Sequence, residues 1–503
     1  MRRHVIQASI ALGLAVATSA DAQIDNPIPE PVTNHGLAVQ IRDLVRLPSS
    51  GELDPASARG PVGWARVSYV RDLRDGRRFA NDSRGFLYLL DGSDEPSVYA
   101  NLREVFPHIG FRGLESGFIG FGFHPEFARN GVFYTTHIEQ VAGNPATPDF
   151  IPPGFAIADV TSHDVVTEWR ASNPGAATFA GTRRELLRVA HVVDNPFHAI
   201  GHVEFDPTSE PGDPDYGLLY VASTDLGFSN GGGPNASNPG QTQRLDTLIG
   251  AILRIDPRSP AQTRGTKGVG DYTIPAINHY AADGDPSTYG EIYAHGFRNP
   301  HRLSWDMTDG TMFAMDIGMS HIEEVNIVRE GENYGWMRRE GYFDNGVNIP
   351  GGTLDDVHAL PADVLDGSRA DGFTYPVAVY DHDEGVAITN GFAYRGSIPA
   401  LRGKFVFGDI QRGRLFATDV EALEAADDGV PRTVAPVEEI QLYVNDPATG
   451  RRLDVTLWEL VEQALGRSVE RADLHLSESR DGEIFVTSRQ DGWIRVLARD
   501  GGS

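Results

Sequence analysis

Six segments of this chain repeat one pattern, a glycine followed by a short run of hydrophobic and aromatic residues, and they are spread over its whole length. They are Gly85-Phe86-Leu87-Tyr88-Leu89, Gly131-Val132-Phe133-Tyr134-Thr135, Gly217-Leu218-Leu219-Tyr220-Val221, Gly310-Thr311-Met312-Phe313-Ala314, Gly403-Lys404-Phe405-Val406-Phe407 and Gly482-Glu483-Ile484-Phe485-Val486. Asp309-Gly310 and Asp481-Gly482 put a turn residue ahead of the glycine, which favours a tight hairpin. Short β-branched and aromatic runs bounded by Gly, Pro, Asn and Asp dominate elsewhere, and Leu453 to Leu465 is the best helical candidate. A small sheet unit that recurs six times can bury both of its faces only against its neighbours, so radial packing is expected. The fold class expected is all-β, a six-bladed β-propeller. The copies are 46 to 93 residues apart, so long loops decorate one face, with Ala142 to Thr182, Gly227 to Gln243 and Asp344 to Gly372 as candidates.

The first residues read as an export signal. Arg2 and Arg3 form a basic start, Val5 to Ala17 is mostly apolar, and Ala20-Asp21-Ala22 fits a cleavage site. The division expected is a signal peptide over 1–22, an N-terminal extension over 23–58 and the propeller over 59–503, in a periplasmic or secreted protein. No other apolar run approaches the length of about 18 residues that a membrane span requires. The chain has no cysteine, which excludes disulfides, thiolate metal sites and a covalently attached haem. A net charge of −27 argues against nucleic acid as a partner. A neutral sugar would be indifferent to that charge, whereas an anionic cofactor would need a local basic pocket.

Several blocks resemble the glucose/sorbosone dehydrogenase family, the soluble PQQ-dependent glucose and aldose sugar dehydrogenases. They are Glu115-Ser-Gly-Phe-Ile-Gly-Phe-Gly-Phe-His-Pro-Glu-Phe127, Leu248-Ile-Gly-Ala-Ile-Leu-Arg-Ile-Asp-Pro257, Glu291-Ile-Tyr-Ala-His-Gly-Phe-Arg-Asn-Pro300 and Glu323-Glu-Val-Asn-Ile-Val, followed by Gly331-Glu-Asn-Tyr-Gly-Trp336. Ala393-Tyr-Arg-Gly396 and Gly403-Lys-Phe-Val-Phe-Gly-Asp409 are similar to a late blade. Arg-Asn-Pro followed about 35 residues later by Asn-Tyr-Gly-Trp is the most specific of these, and the blocks together cover about residues 60 to 500. The resemblance implies PQQ over one end of the propeller axis, Ca²⁺ beneath it, a histidine that takes the proton of a sugar hydroxyl, and a separate periplasmic electron acceptor. A neutral imidazole suits the first task and a fixed guanidinium suits the oxyanion of a reduced quinone.

Carried onto this sequence, the resemblance makes His198 the base and places Arg298 at the quinone oxygen, with Asn299 holding the cofactor. Gly318 and Met319 would offer backbone carbonyls to Ca²⁺, a hard cation that accepts such ligands. Glu115 falls where one subgroup has a Gln facing the sugar and would face the substrate, and Asp225, after the strand Leu218 to Ser223, is a rim carboxylate open to metal, substrate or a turn. A bland reading stands beside each: a buried Arg298 can pin loops through carbonyl bonds, and Asp225 can simply close a turn. The chain also departs from the family. Phe197 replaces an acid before His198, Gln411 stands for a lysine beside Arg412, and Glu470-Arg-Ala-Asp473 leaves Arg471 one position out of step. PQQ carries three carboxylates, and losing cations around it costs several kcal/mol of binding. Either other basic residues compensate, or the chain is a propeller binding module that has lost PQQ, as the family's hedgehog-interacting relatives in animals illustrate.

Overall fold

The computed structural model describes residues 23–499 apart from 52–62, 74, 91, 93–94, 111–114, 193–197, 230–239 and 351. The export signal expected over 1–22 lies outside the described residues, as does Phe197. Among the described residues no helix is long and apolar enough to cross a membrane.

Six four-stranded antiparallel sheets form the blades of a β-propeller. Val67–Asp72, Arg78–Asp82, Phe86–Leu90 and Ser97–Asn101 make the first, and Phe118–Phe123, Val132–Gln140, Ser162–Ala171 and Gly181–His191 the second. The third is His202–Phe205, Leu219–Ser223, Ala251–Ile255 and Ile292–His295; the fourth is Pro300–Trp305, Met312–Asp316, Ile322–Ile327 and Ala378–Asp381. Phe392–Ala393, Lys404–Gly408, Leu415–Asp419 and Glu438–Asn445 make the fifth. The sixth takes Leu474–Glu478, Ile484–Ser488 and Trp493–Ala498 from the end of the chain and Ala38–Arg46 from its beginning. The expected N-terminal extension therefore contains a blade strand, paired antiparallel with Trp493–Ala498 and, through Ala38, Val39 and Gln40, parallel with Gln441, Leu442 and Tyr443 of the fifth blade.

The repeated glycine has a local cause. All six motif glycines sit at positive φ, from 66° at Gly131 to 100° at Gly85, where a Cβ is disfavoured. In blades two to six the glycine closes the hairpin between the innermost and second strands, and the apolar run after it is the second strand. That strand is buried on both faces, as in Leu219–Ser223 and Ile484–Ser488, so it reads as a continuous apolar run without alternation. In the first blade the repeat is out of phase. Gly85 precedes the third strand, and the in-phase turn is Gly76, at φ 89°. Gly76 escapes the pattern because Arg77 and Arg78 follow it, Arg78 paired with Asp72 across the hairpin.

Three loop and helix expectations change in detail. The stretch from Ala142 to Thr182 holds the strand Ser162–Ala171 and the start of Gly181–His191. The stretch from Asp344 to Gly372 belongs to a small sheet of Arg339–Glu340, Phe343–Asn345 and Val357–Ala359, anchored by buried Phe343 and Val357, with a short helix at Ala362–Leu365. The helical candidate begins at Leu457 rather than Leu453, because Arg452–Val455 pairs with Leu442 to Asn445. Thr456 then caps the helix Leu457–Leu465 through a reciprocal pair with Glu459.

Successive innermost strands run in the same direction along the axis. The segments leading into them, and those leaving the second strands, thus gather at one end of the channel, and the glycine hairpins at the other. Glycine 482 would meet the Arg395 carbonyl carbon at 2.8 Å and the Gly396 nitrogen at 2.9 Å with any Cβ, whereas the equivalent Gly403 has nothing within 4 Å. Gly403→Ala is expected to cost about 1–2 kcal/mol, the left-handed penalty alone. Gly482→Ala is expected to cost about 3 kcal/mol or more, because backbone must also shift. Urea denaturation of the two variants measures the difference, and equal losses would show that the hairpins are not packed as described.

Candidate active site

Residues from several blades meet at the end of the channel where the innermost strands begin. His198 lies ahead of His202–Phe205 and is 6 % exposed. Its Nδ1 is 2.6 Å from Asp225 Oδ1, and Asp225 leaves the second strand of the same blade. The backbone at His198 is left-handed, with φ 59°, a conformation that costs a non-glycine residue about 1–2 kcal/mol. Protein contacts hold it there. Its N–H donates to Glu115 Oε2 at 2.7 Å, and the Thr224 hydroxyl donates to its carbonyl. Leu226 and Asp473, two of the other three non-glycine residues with positive φ among those described, flank the same end of the channel. Backbone strain is therefore concentrated where the polar groups converge.

Asp225 links two halves of the site. It accepts the Gly227 N–H at 2.9 Å, the Ser229 N–H at 3.2 Å and the Ser229 hydroxyl, while its own N–H donates to the Arg298 carbonyl at 2.7 Å. Ser229 Oγ in turn accepts from Arg298 Nε at 3.0 Å. A hydrogen-bonded line thus runs His198–Asp225–Ser229–Arg298. Arg298 Nη1 donates to the carbonyls of Ile317 at 3.0 Å and Gly318 at 2.6 Å, and Nη2 is 3.3 Å from Met319 Sδ. Asp316 fixes the Arg298-Asn299 turn by accepting both backbone N–H groups, at 3.0 and 2.6 Å. Burial, reinforced by Glu324 opposite it across the strand pair, holds the Asp316 carboxyl well above the usual range. Glu340 Oε1 gathers the N–H groups of Met319, Ser320, His321 and Ile322 at 2.9–3.1 Å and so fixes the loop after Gly318.

Glu115 stands inside the group. It takes the His198 N–H, the Asn299 amide at 3.3 Å and His301 Nδ1 at 3.2 Å. Burial raises its carboxyl, but His301, His198 and Arg489 outweigh burial and hold it well below the usual range. Seven residues anticipated from sequence are thus connected: Glu115, His198, Asp225, Arg298, Asn299, Gly318 and Met319. Three stand apart from that network. Arg412 is exposed and donates to the His382 carbonyl at 3.1 Å. Gln411 accepts the Ala472 N–H at its own backbone oxygen. Arg471 is buried and paired with Asp473 at the channel wall.

The positive charge comes mainly from residues that the motifs did not reveal. Arg66, Arg302 and Arg489 are 8, 1 and 6 % exposed at the channel, along with Arg471 at 7 %. Arg489 is lowered to about 9, by burial first and then by Arg66 and Arg302. Arg302 is lowered to about 10, chiefly by burial. Its Nε and Nη2 have no hydrogen-bond partner among the described residues, although Nη1 bonds the Gly201 and His301 carbonyls. Buried, mutually repelling guanidinium groups are a donor set for an anion, so the group fits a cofactor bearing carboxylates. Calcium does not fit the loop as folded. The Gly318 carbonyl already accepts from Arg298, so a dication on that oxygen would meet a guanidinium. No group of three His, Cys, Asp or Glu able to hold a metal occurs among the described residues.

The family profile named glucose/sorbosone dehydrogenase matches residues 67–433. The chain belongs to this family. It is 27 % identical over 378 residues to HIPL1 protein of Arabidopsis thaliana, covering 68 % of this chain and 50 % of that protein. It is 23 % identical over 242 residues to quinoprotein glucose dehydrogenase B of Acinetobacter calcoaceticus, covering 46 % of this chain and 42 % of that one. The chain spans about half the length of the curated relatives it matches, or less. Among solved structures, the apo soluble aldose sugar dehydrogenase of Escherichia coli superposes with a TM-score of 0.57 at 16 % identity, over 92 % of this chain and 99 % of that one. The PQQ-bound aldose sugar dehydrogenase of Streptomyces coelicolor gives 0.51 at 16 %, over 91 % and 97 %. At these identities the likeness is one of fold, and it agrees with the six blades described.

The Asp225 pair makes a direct prediction. Burial opposes ionisation, but the charge and hydrogen bond of His198, followed by Arg298 and Ser229, lower the carboxyl to about 2. A depressed carboxyl stabilises the fold above the unfolded pKa of about 4 and loses that contribution as pH falls through the folded value. Between about pH 5 and pH 2 the unfolding free energy is expected to fall about 2 kcal/mol further in the wild type than in Asp225→Asn. Acid titration of urea unfolding measures it, and parallel slopes would mean that this carboxylate is not ion-paired.

Proposed function

We propose that this chain oxidises a hydroxyl group of a sugar-like alcohol, using PQQ seated at the channel end. The observation that carries this reading is the His198–Asp225 pair, held in a strained turn beside four buried arginines. When bound, the quinone supplies a two-electron acceptor for hydride from the substrate carbon.

The remaining work falls to side chains. Asp225 accepts the Nδ1–H of His198, which selects the tautomer whose Nε2 is the basic nitrogen. The same carboxylate stabilises the imidazolium that forms when Nε2 takes the hydroxyl proton. Glu115 and Thr224 fix the ring by holding the His198 backbone at both ends. Arg66, Arg471 and Arg489 would hold the cofactor's carboxylates. Arg298 stiffens the opposite wall by binding Ser229 and the Gly318 loop. A separate chain would accept the electrons, since this sequence has no cysteine to attach a haem.

Arg298 favours a second reading. Its donors already serve Ser229, Ile317 and Gly318, as in a loop pin, which suits a propeller that binds a partner without turnover. One experiment separates the two. The apoprotein is titrated with PQQ while the cofactor spectrum is recorded, and dye reduction is followed with a panel of aldoses. The dehydrogenase reading expects saturable binding and turnover. His198→Ala should lower kcat by about 10²–10⁴ while leaving cofactor binding intact, and Arg489→Met should weaken binding at least about tenfold. Absence of PQQ binding at any concentration would establish the binding module instead. Because the Gly318 carbonyl is engaged by Arg298, Ca²⁺ alone is expected to give no dose-dependent thermal shift of the apoprotein; a saturable shift would show that the loop rearranges around metal.

A further inference from the structure

The far end of the channel, where the glycine hairpins lie, opens into a cavity of about 640 Å³. That volume falls within the range of small-molecule sites, about 300–1,000 Å³. Its wall carries the aromatic rings of Phe123, Phe205 and Trp305 together with Arg71, Glu204 and Glu478. None of the residues of the candidate active site lines it.

Almost every charge on this wall has a partner. Arg71 is paired with Glu204, and Arg395 with Asp306. Asp72 is bonded to Arg78, and Asp75 to Arg77. Asp206 takes the Thr208 hydroxyl and N–H. Arg480 and Asp481 stand exposed at the rim, and the exception inside the cavity is Glu478. It projects from the innermost strand Leu474–Glu478, and its carboxyl has no hydrogen bond or ion pair among the described residues. Its two cationic neighbours, Arg71 and Arg395, are the ones already committed to Glu204 and Asp306. Burial, with Asp306 adding to it, pushes the Glu478 carboxyl up to about 8, against the pull of Arg71 and Arg395. The group is thus an acid with no direct ion pair among the described residues, in a cavity with aromatic walls. The wall also shows the kind of contact that such a cavity makes with a cation: the Arg71 guanidinium lies 4.8 Å from the centre of the Tyr69 ring.

A neutral sugar offers the carboxyl hydrogen bonds but nothing that favours its ionised form, and an anion would meet Glu478 and the acidic lining head-on. A bare metal ion would have one uncommitted carboxylate and no use for the rings. An ammonium group on an apolar body satisfies both the acid and the aromatic surface. We propose that this cavity is a second ligand site, for a small organic cation, with the ammonium on Glu478 and the body against Phe123, Phe205 and Trp305. The site is independent of the dehydrogenase reading and of PQQ.

Isothermal titration of the full chain with benzyltrimethylammonium tests it, with benzyl alcohol and calcium chloride as comparison titrants. One-site binding of the ammonium is expected, at least about tenfold weaker in Glu478→Gln and unchanged in His198→Ala. At pH 7 binding should also release a proton, because the carboxyl must ionise to meet the cation. Repeating the titration in buffers of different ionisation enthalpy reads that proton in the wild type, so the test does not depend on the variant folding. Equal affinity for benzyl alcohol would overturn the proposal by reducing the site to an apolar hole. So would displacement by calcium, unaltered binding to Glu478→Gln, or no proton release.

Discussion

The ring depends on the pairing of its two chain ends. Ala38–Arg46 completes the sixth blade against Trp493–Ala498, so strands formed more than 440 residues apart close the circle. A blade in this architecture buries its faces only against its two neighbours, and an open ring would expose one face of the first blade and one of the last. Closure also forces all six innermost strands to surround one axis in one sense. The polar groups at the channel ends are consequences of that arrangement. Glu115, His198, Asn299 and Arg471 each precede an innermost strand, and Asp225, Gly318 and Arg489 each follow a second strand, so distant sequence positions become neighbours.

Ionisable groups packed this closely must balance one another. Glu115 is stable as a buried carboxylate because three donors from two other blades converge on it: the His198 N–H, the Asn299 amide and His301 Nδ1. It is therefore a tie between blades more than a surface for substrate. The same bonds hold His198 in its left-handed turn, which places the ring against Asp225. Strain at one residue is offset by hydrogen bonds to groups that are themselves fixed, the usual condition for an unfavourable backbone to persist. The arginines obey the opposite logic. Arg302 and Arg489 lie close enough to raise each other's cost as cations, and a ligand carrying carboxylates would lower that cost.

Much of the fold could be read from the chain because its signal is local. A left-handed glycine followed by a doubly buried strand is a short-range pattern, and it marked the second strand in five of six blades. The first blade broke the pattern since Arg77 and Arg78 follow Gly76, and their charge is balanced by aspartates visible only in space. The Arg298-Asn299 pair, His198 and the Gly318 loop were legible because they sit in contiguous motifs, and the structure joins them. Arg66, Arg302 and Arg489 were not, as each stands alone in a different blade and only ring closure brings them together. The positions that the resemblance implies for the cofactor are Gln411, which replaces a lysine, Arg412 and Arg471. Of these, Arg412 faces solvent and only Arg471 borders the channel. Strand Ala38–Arg46 was hidden for a related reason: an edge strand with exposed Arg42, Asp43 and Leu44 reads as an extension until its partner is known.

The charge distribution along the axis shapes how ligands can reach either end. A chain of net charge −27 repels anions at long range, and that field is screened over about 8 Å at physiological salt. A carboxylate-bearing cofactor of the kind proposed would thus gain nothing from steering and would depend on the short-range field of Arg66, Arg471 and Arg489 once inside the mouth. Its association should quicken as salt rises, the reverse of a steered encounter, while its dissociation depends on buried contacts that salt reaches poorly. A neutral sugar feels neither effect. The opposite mouth, where Glu478 has no direct ion pair among the described residues, is reached through the same acidic field, which there attracts cations. On the two proposals the channel ends would make opposite electrostatic demands, and the asymmetry follows from which side chains precede the innermost strands and which follow them.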